Sequence, residues 1–83
     1  MTPTVTLYTR PGCHLCDEAR ATLQRLQHRA EFAIEEVDIT TDDALHRRYL
    51  ERIPVIALQD EELSDYHVDE ALLLDRLHYR GRR

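Results

Sequence analysis

Residues 4–19, TVTLYTRPGCHLCDEA, hold a strand, a turn and the start of a helix in one short span. Thr4-Val5-Thr6-Leu7-Tyr8 is β-branched and aromatic, as strands are. Arg10-Pro11-Gly12 is a turn signal. Beyond it Leu15, Ala19, Leu23 and Leu26 recur at helical spacing, which predicts a single apolar stripe. Asp17 and Glu18 fall early in that helix, and Arg25, His28 and Arg29 fall late, an order that suits the helix dipole. Cys13 and Cys16, the two cysteines of the chain, stand where strand gives way to helix.

Outward from this span the pattern continues. Residues 31–39, EFAIEEVDI, read as a second strand. Thr40-Thr41-Asp42-Asp43 starts a short helix, with Thr40 or Thr41 as cap, both Asp in its first turn, and Ala44, Leu45 and Tyr49 facing inward. Pro54 opens the apolar run Val55-Ile56-Ala57-Leu58, a third strand. Gln59-Asp60-Glu61 is a tight polar link to a short edge strand, Glu62-Leu63-Ser64. Val68 to Tyr79 reads as a final helix, with an apolar side of Leu72, Leu73, Leu74 and Leu77. The order β-α-β-α-β-β-α predicts an α/β architecture. Its first β-α-β unit should be parallel and its last two strands an antiparallel hairpin, in a mixed four-stranded sheet with helices on both faces.

With 83 residues the chain is read as one domain, 1–83, with residues 79–83 as a basic tail that can fray. Hydrophobic residues at 42% and charged residues at 33% describe a globular chain rather than a disordered one. No run of about eighteen apolar residues is present, so no membrane partner is expected. No leader is recognised, and a cytoplasmic location is the expectation. The net charge is −5 and every Lys/Arg position is an arginine, scattered among acids except for Arg80-Gly81-Arg82-Arg83. Nucleic acid is therefore not an expected partner, because it would need a broad basic face.

Three readings of the cysteines stand side by side: a redox dithiol, half of a metal site, or two buried thiols. A bridge three residues apart closes too small a loop to serve as a staple. A closed zinc site needs four ligands, and the five histidines are scattered, so no metal site is expected. A helix N-terminus presents unpaired N–H groups and the positive end of the dipole to Cys13, which favours its thiolate. Cys16 lies on the same side one turn on. This predicts Cys13 as nucleophile and Cys16 as resolving thiol. His14 either tunes that thiolate or is an exposed loop histidine. Arg10 either adds positive potential or is a solvated turn residue. Tyr8 reads as a packed strand aromatic rather than a catalytic acid.

The segment LYTRPGCHLCDEA resembles the active-site segment of glutaredoxins, and RIPVIAL, residues 52–58, resembles the family's Thr-Val-Pro segment. The Cys-His-Leu-Cys sequence with Ile-Pro-Val is most similar to a small subgroup of glutaredoxin-like proteins. The element order matches the glutaredoxin form of the thioredoxin fold, so the resemblance implies a thioredoxin-like, glutaredoxin-type architecture and a monomeric thiol–disulfide oxidoreductase with catalytic Cys13 and Cys16 and no bound cofactor. It also implies a cis Pro54, with Ile53 offering backbone N–H and C=O groups to an extended substrate. The implied partners are disulfide-containing proteins or glutathione, the latter as substrate or reductant. The candidate substrate-binding set is Arg10, His14, Leu15, Arg52, Ile53, Pro54, Ser64 and Asp65.

The chain departs from the family at several of these positions. His14-Leu15 stands where Pro-Tyr is common, and Ser64-Asp65 replaces a Gly-Gly pair that approaches glutathione. Arg10 and Arg52 are the candidates to pair with glutathione's carboxylates, or Arg52 is a plain surface arginine. Rival readings are a dedicated dithiol carrier that does not use glutathione, a binding or adaptor module, and an iron–sulfur carrier dimer.

Overall fold

A computed structural model describes residues 2–81, with side chains to His78. Of residues 79–83, expected to fray, 79–81 continue the last helix, and 82–83 lie outside the described residues. The elements are β1 (Thr4–Thr9), α1 (His14–Leu26), β2 (Ala33–Asp38), a 3-10 turn (Ile39–Thr41), α2 (Asp43–Tyr49), β3 (Val55–Leu58), β4 (Glu61–Asp65) and α3 (Glu70–Gly81). The sheet order is β2-β1-β3-β4. β1 pairs parallel with β2, while β1–β3 and β3–β4 are antiparallel. This is the mixed four-stranded sheet that the element order predicts.

Alternation along the strands assigns the faces. Val5 and Leu7 of β1 and Ile56 and Leu58 of β3 pack with Ala19, Leu23 and Leu26 of α1 and with Leu73 and Leu77 of α3. The intervening Tyr8 and Val55 turn to the other side, where they meet Ile39, Tyr49 of α2, Ile53 and both cysteines. Each fully buried leucine or isoleucine contributes about 1.5–3 kcal/mol. No buried side-chain polar atom among the described residues lacks a partner.

β4 carries a bulge. Ala57 faces Glu62 and Ile56 faces Ser64, so Leu63 is the extra residue. Without it, Glu62 and Asp65, three apart, would point to opposite faces. With it, both stand on the α2 side, opposite Ala57 and Val55.

Several local expectations are corrected. The α1 stripe begins at Cys16, which is fully buried, and Leu15 is 47% exposed. Leu15 keeps the helical spacing to Ala19 but lies with it along a surface hollow, while Cys16 turns inward. α2 is capped by neither threonine. Ile39–Thr41 forms the 3-10 turn, and Asp42 accepts from the N–H groups of Ala44 and Leu45 at 2.8 and 3.1 Å. Ala44 is exposed, while Leu45 is half-buried and Tyr49 buried. The second strand begins at Ala33 rather than Glu31, and Ile39 belongs to the turn. α3 begins at Glu70 rather than Val68, because Asp69 stays outside and accepts from the Leu72 N–H at 3.1 Å.

Candidate active site

Gly12, at φ +77°, turns the chain out of β1 into α1, and a Cβ there would meet nothing within 4 Å. Glycine is thus required for its backbone conformation, not for space. Cys13 follows as the N-cap residue, in extended geometry. Its Sγ accepts from the Cys16 N–H at 3.2 Å. The two cysteines are joined as a disulfide, with Cα atoms 5.2 Å apart. Cys13 is partly exposed and Cys16 fully buried. The predicted pair is therefore assembled at the start of α1, with Cys13 at the cap and Cys16 behind it. Among the described residues no group of three or more His, Cys, Asp or Glu could hold a metal ion.

The Ile53–Pro54 peptide bond is cis, and both residues are buried. Ile53 packs in one cluster with Cys16 and Cys13. The Tyr66 N–H closes this loop from the far side, donating to the carbonyls of Pro54 at 2.8 Å and Arg52 at 3.2 Å.

The charged candidates are placed apart. His14 is exposed, and its Nε2 stands 2.9 Å from the Glu18 carboxylate. Arg10 is exposed and forms no ion pair with the described residues; it lines a hollow with Arg20, Glu36 and Asp38. Arg52 lines a different hollow with Ser64 and Asp65. Arg10 and Arg52, the candidates for glutathione's carboxylates, thus line different hollows. Arg52 is already engaged by Glu62 at 2.6 Å and Asp65 at 3.2 Å. Ser64 also points elsewhere, donating to the His67 carbonyl at 2.9 Å and accepting from the Asp69 N–H.

Three residues outside the expected set shape the site. Tyr49 stacks on Tyr8 with ring centroids 4.4 Å apart, beneath the cysteines. Its hydroxyl donates to Glu62 at 2.8 Å. Burial, reinforced by that carboxylate, pushes the Tyr49 phenol up to about 12. The hydrogen bond from Arg52, then that from Tyr49, holds the Glu62 carboxyl below its usual range. Tyr66 is the third. It sits at φ +68°, a conformation that costs a non-glycine residue roughly 1–3 kcal/mol. Its hydroxyl donates to the Glu51 carbonyl, and the residue is 53% exposed. Nothing in a tyrosine's identity signals that backbone. The inward placement of Tyr49 was readable from its spacing in α2, but the Glu62 contact depends on the bulge.

Comparison with known proteins agrees with this geometry. Residues 4–78 match the family model described as a glutaredoxin-like domain, DUF836. An uncharacterized protein of Mycobacterium tuberculosis is 32% identical over 73 residues, covering 82% of this chain and 75% of its own. The solution structure of a protein from Nitrosomonas europaea is 34% identical and superimposes with a TM-score of 0.84 over 93% of both chains. A crystal structure of a thioredoxin-like protein shares the fold at 20% identity, with a TM-score of 0.62 over 88% of this chain and 95% of that one. The chain belongs to the glutaredoxin-like DUF836 family, and its fold is thioredoxin-like.

Proposed function

We propose that the chain is a monomeric dithiol oxidoreductase that reduces protein disulfides or glutathione-mixed disulfides. The Cys13 thiolate attacks one sulfur of the substrate disulfide. A Cys13–substrate S–S bond forms, the substrate S–S bond breaks, and the leaving sulfur departs as a thiolate and takes a proton from solvent. Cys16 then gives up its proton and attacks the Cys13 sulfur. That releases the second substrate thiol and leaves the Cys13–Cys16 disulfide. Two electrons have passed to the substrate. Two glutathione thiols, or one external dithiol, return them, and no bound cofactor takes part.

The observation that carries this is the unequal placement of two sulfurs one turn apart: Cys13 is accessible at the α1 N-terminus and Cys16 is fully buried behind it. The Arg52–Glu62 and Arg52–Asp65 ion pairs favour a second reading within the same chemistry, a carrier that does not use glutathione. The test is turnover of bis(2-hydroxyethyl) disulfide with dithiothreitol as reductant. Wild type should turn over. Cys13→Ser should fall to the uncatalysed rate, and Cys16→Ser should accumulate a mixed disulfide on Cys13. Absence of wild-type turnover would sink the proposal.

A further inference from the structure

The backbone of Ile53, beside the cysteines, is engaged on one side only. α2 ends at Tyr49, and its last carbonyls need donors from beyond the helix. Arg52 and Ile53 supply two of them, since their N–H groups both donate to the Tyr49 carbonyl, at 2.8 and 3.0 Å. The Ile53 bond spans the interval of a helical bond, so it carries the hydrogen-bond series of α2 into the proline loop. Both ends of this bond are anchored. The Tyr49 ring stacks on Tyr8, and its hydroxyl donates to Glu62. Arg52 is tied to Glu62 and Asp65. The expectation that Ile53 offers both an N–H and a C=O to a substrate is therefore corrected, because the N–H is already taken.

The carbonyl is in the opposite condition. On either side of it, the carbonyls of Arg52 and Pro54 both accept from the Tyr66 N–H, at 3.2 and 2.8 Å. The Ile53 carbonyl between them has no partner among the described residues, although the residue is only 8% exposed. Backbone carbonyls in buried residues are ordinarily paired. This one belongs to the residue that packs in one cluster with Cys13 and Cys16. In a fully bonded antiparallel pair, opposite residues exchange two N–H···O=C bonds. Ile53 can make one of the two. We infer that the disulfide cysteine of a substrate is held here by a single backbone hydrogen bond, its own N–H donating to the Ile53 carbonyl, and that its carbonyl receives none from Ile53. The substrate class follows. A disulfide needs an amide N–H on the carbon next to its CH2–S group, but it does not need the carbonyl of a peptide residue. Disulfides of acylated aminothiols thus qualify equally with those of cysteinyl peptides. The inference rests on the dithiol chemistry proposed above and names what that site reads in its substrate.

The experiment follows single-turnover oxidation of the reduced protein by three symmetric disulfides, through the two-step exchange written above. The parent is the disulfide of N-acetylcysteine methylamide. The second carries an ester oxygen in place of the cysteine N–H. The third is the disulfide of N-acetylcysteamine, which keeps that N–H and lacks the cysteine carbonyl. Quenched alkylation and mass spectrometry read each rate. Division by the rate of free 2-mercaptoethanol on the same disulfide removes leaving-group differences. The ester should react more than about threefold more slowly than the parent, the loss expected for one hydrogen bond, and the N-acetylcysteamine disulfide should lose less than that. An ester within about threefold of the parent, or a larger loss for the N-acetylcysteamine disulfide, would overturn the inference and leave the dithiol chemistry standing. A second readout is independent of rate. The scalar coupling through the hydrogen bond from the Ile53 nitrogen to the Tyr49 carbonyl carbon should be present in the reduced protein. It should persist in the Cys16→Ser mixed disulfide with N-acetylcysteine methylamide. Its absence from either form would show an N–H free for the substrate and overturn the single-bond arrangement. Failure of all three disulfides to oxidise wild type would remove both the inference and the dithiol chemistry.

Discussion

The backbone N–H of Cys16 donates to the Cys13 Sγ at 3.2 Å, so the sulfur closes the first turn of α1 in the way a serine or aspartate cap would. A group that accepts hydrogen bonds from a helix terminus is stabilised as an anion. Cys16 sits in an apolar cluster of Ile39, Tyr49, Ile53 and Val55, where burial disfavours its anion. The two thiols of the reduced protein should therefore titrate in order, Cys13 first. Iodoacetamide alkylation of the reduced protein across pH, mapped by mass spectrometry, should modify Cys13 at least tenfold faster than Cys16 at pH 7. Faster modification of Cys16 would reverse the assigned roles.

Tyr49 joins the sulfur cluster to the ionic network on β4. Its ring stacks on Tyr8, its hydroxyl donates to Glu62, and the Arg48 and Arg52 guanidinium carbons each stand 5.4 Å from its ring centroid. Tyr49→Phe keeps the stack and removes the hydrogen bond, at an expected cost of about 1–2 kcal/mol, since the acceptor is charged. That would lower Tm by roughly 4–16 °C for a chain of this size. Tyr49→Ala also removes the ring and should cost about 3–5 kcal/mol. The phenol's raised value adds a pH signature. The unfolded chain ionises near pH 10, below the folded value of about 12. The stability tied to the neutral phenol is thus complete below about pH 10 and lost as pH rises towards 12. Chemical denaturation between pH 8 and 11 should show wild type losing its advantage over Tyr49→Phe in the alkaline range. A constant difference would mean that the hydroxyl is not held as described.

The first helical turn of α2 tests a reading that the sequence alone misplaced. Asp42 accepts from two backbone N–H groups, and Thr40 instead hydrogen-bonds the Asp38 carboxylate through both its N–H and its hydroxyl. Asp42→Ala should destabilise by about 1 kcal/mol, while Thr41→Ala should stay within about 0.5 kcal/mol of wild type in urea unfolding. Equal losses would restore the threonine as cap.

The elements that strong patterns announced are where the sequence put them. β1 follows from β-branched residues, β3 from an apolar run after proline, and α1 from periodicity behind Gly12. The cysteine pair was legible for the same reason, because strand–turn–helix order places residue 13 at a cap without knowledge of any distant contact. Leu15 shows the limit of periodicity. It fits the four-residue spacing to Ala19 as well as Cys16 fits a three-residue spacing, and only tertiary packing decides which faces the sheet. Glu62, Asp65 and Tyr66 were less legible still. Their directions depend on the extra residue in β4 and on one positive φ, and neither leaves a glycine or asparagine to mark it. The ion pairs of Arg52 were hidden on the same account, since bulged β4 supplies both of its carboxylates.

Glu62 is the acid on which this network turns, and its behaviour with pH follows from its partners. Arg52 donates to one carboxylate oxygen, while Tyr49 and Arg48 approach the other at 2.8 and 3.3 Å. These contacts favour the ionised form, so the folded-state value lies below the ordinary one near 4.3. A group depressed on folding contributes its stability in full above the unfolded value and loses it as pH falls through the folded value. Because the side chain is partly exposed, solvent screens the pairs and the expected contribution is modest, about 1–2 kcal/mol with the tyrosine bond included. Glu62→Gln should therefore be less stable than wild type by that amount from pH 7 down to about pH 5. The difference should close as pH drops below about 4.5. It should also shrink in part at high salt, since the arginine pairs are screened and the Tyr49 hydrogen bond is much less so. Urea unfolding of both proteins between pH 3 and pH 7 measures it. A gap that widened in acid would show that the Glu62 carboxyl is raised rather than held down, and would remove the Arg52 ion pair as its cause.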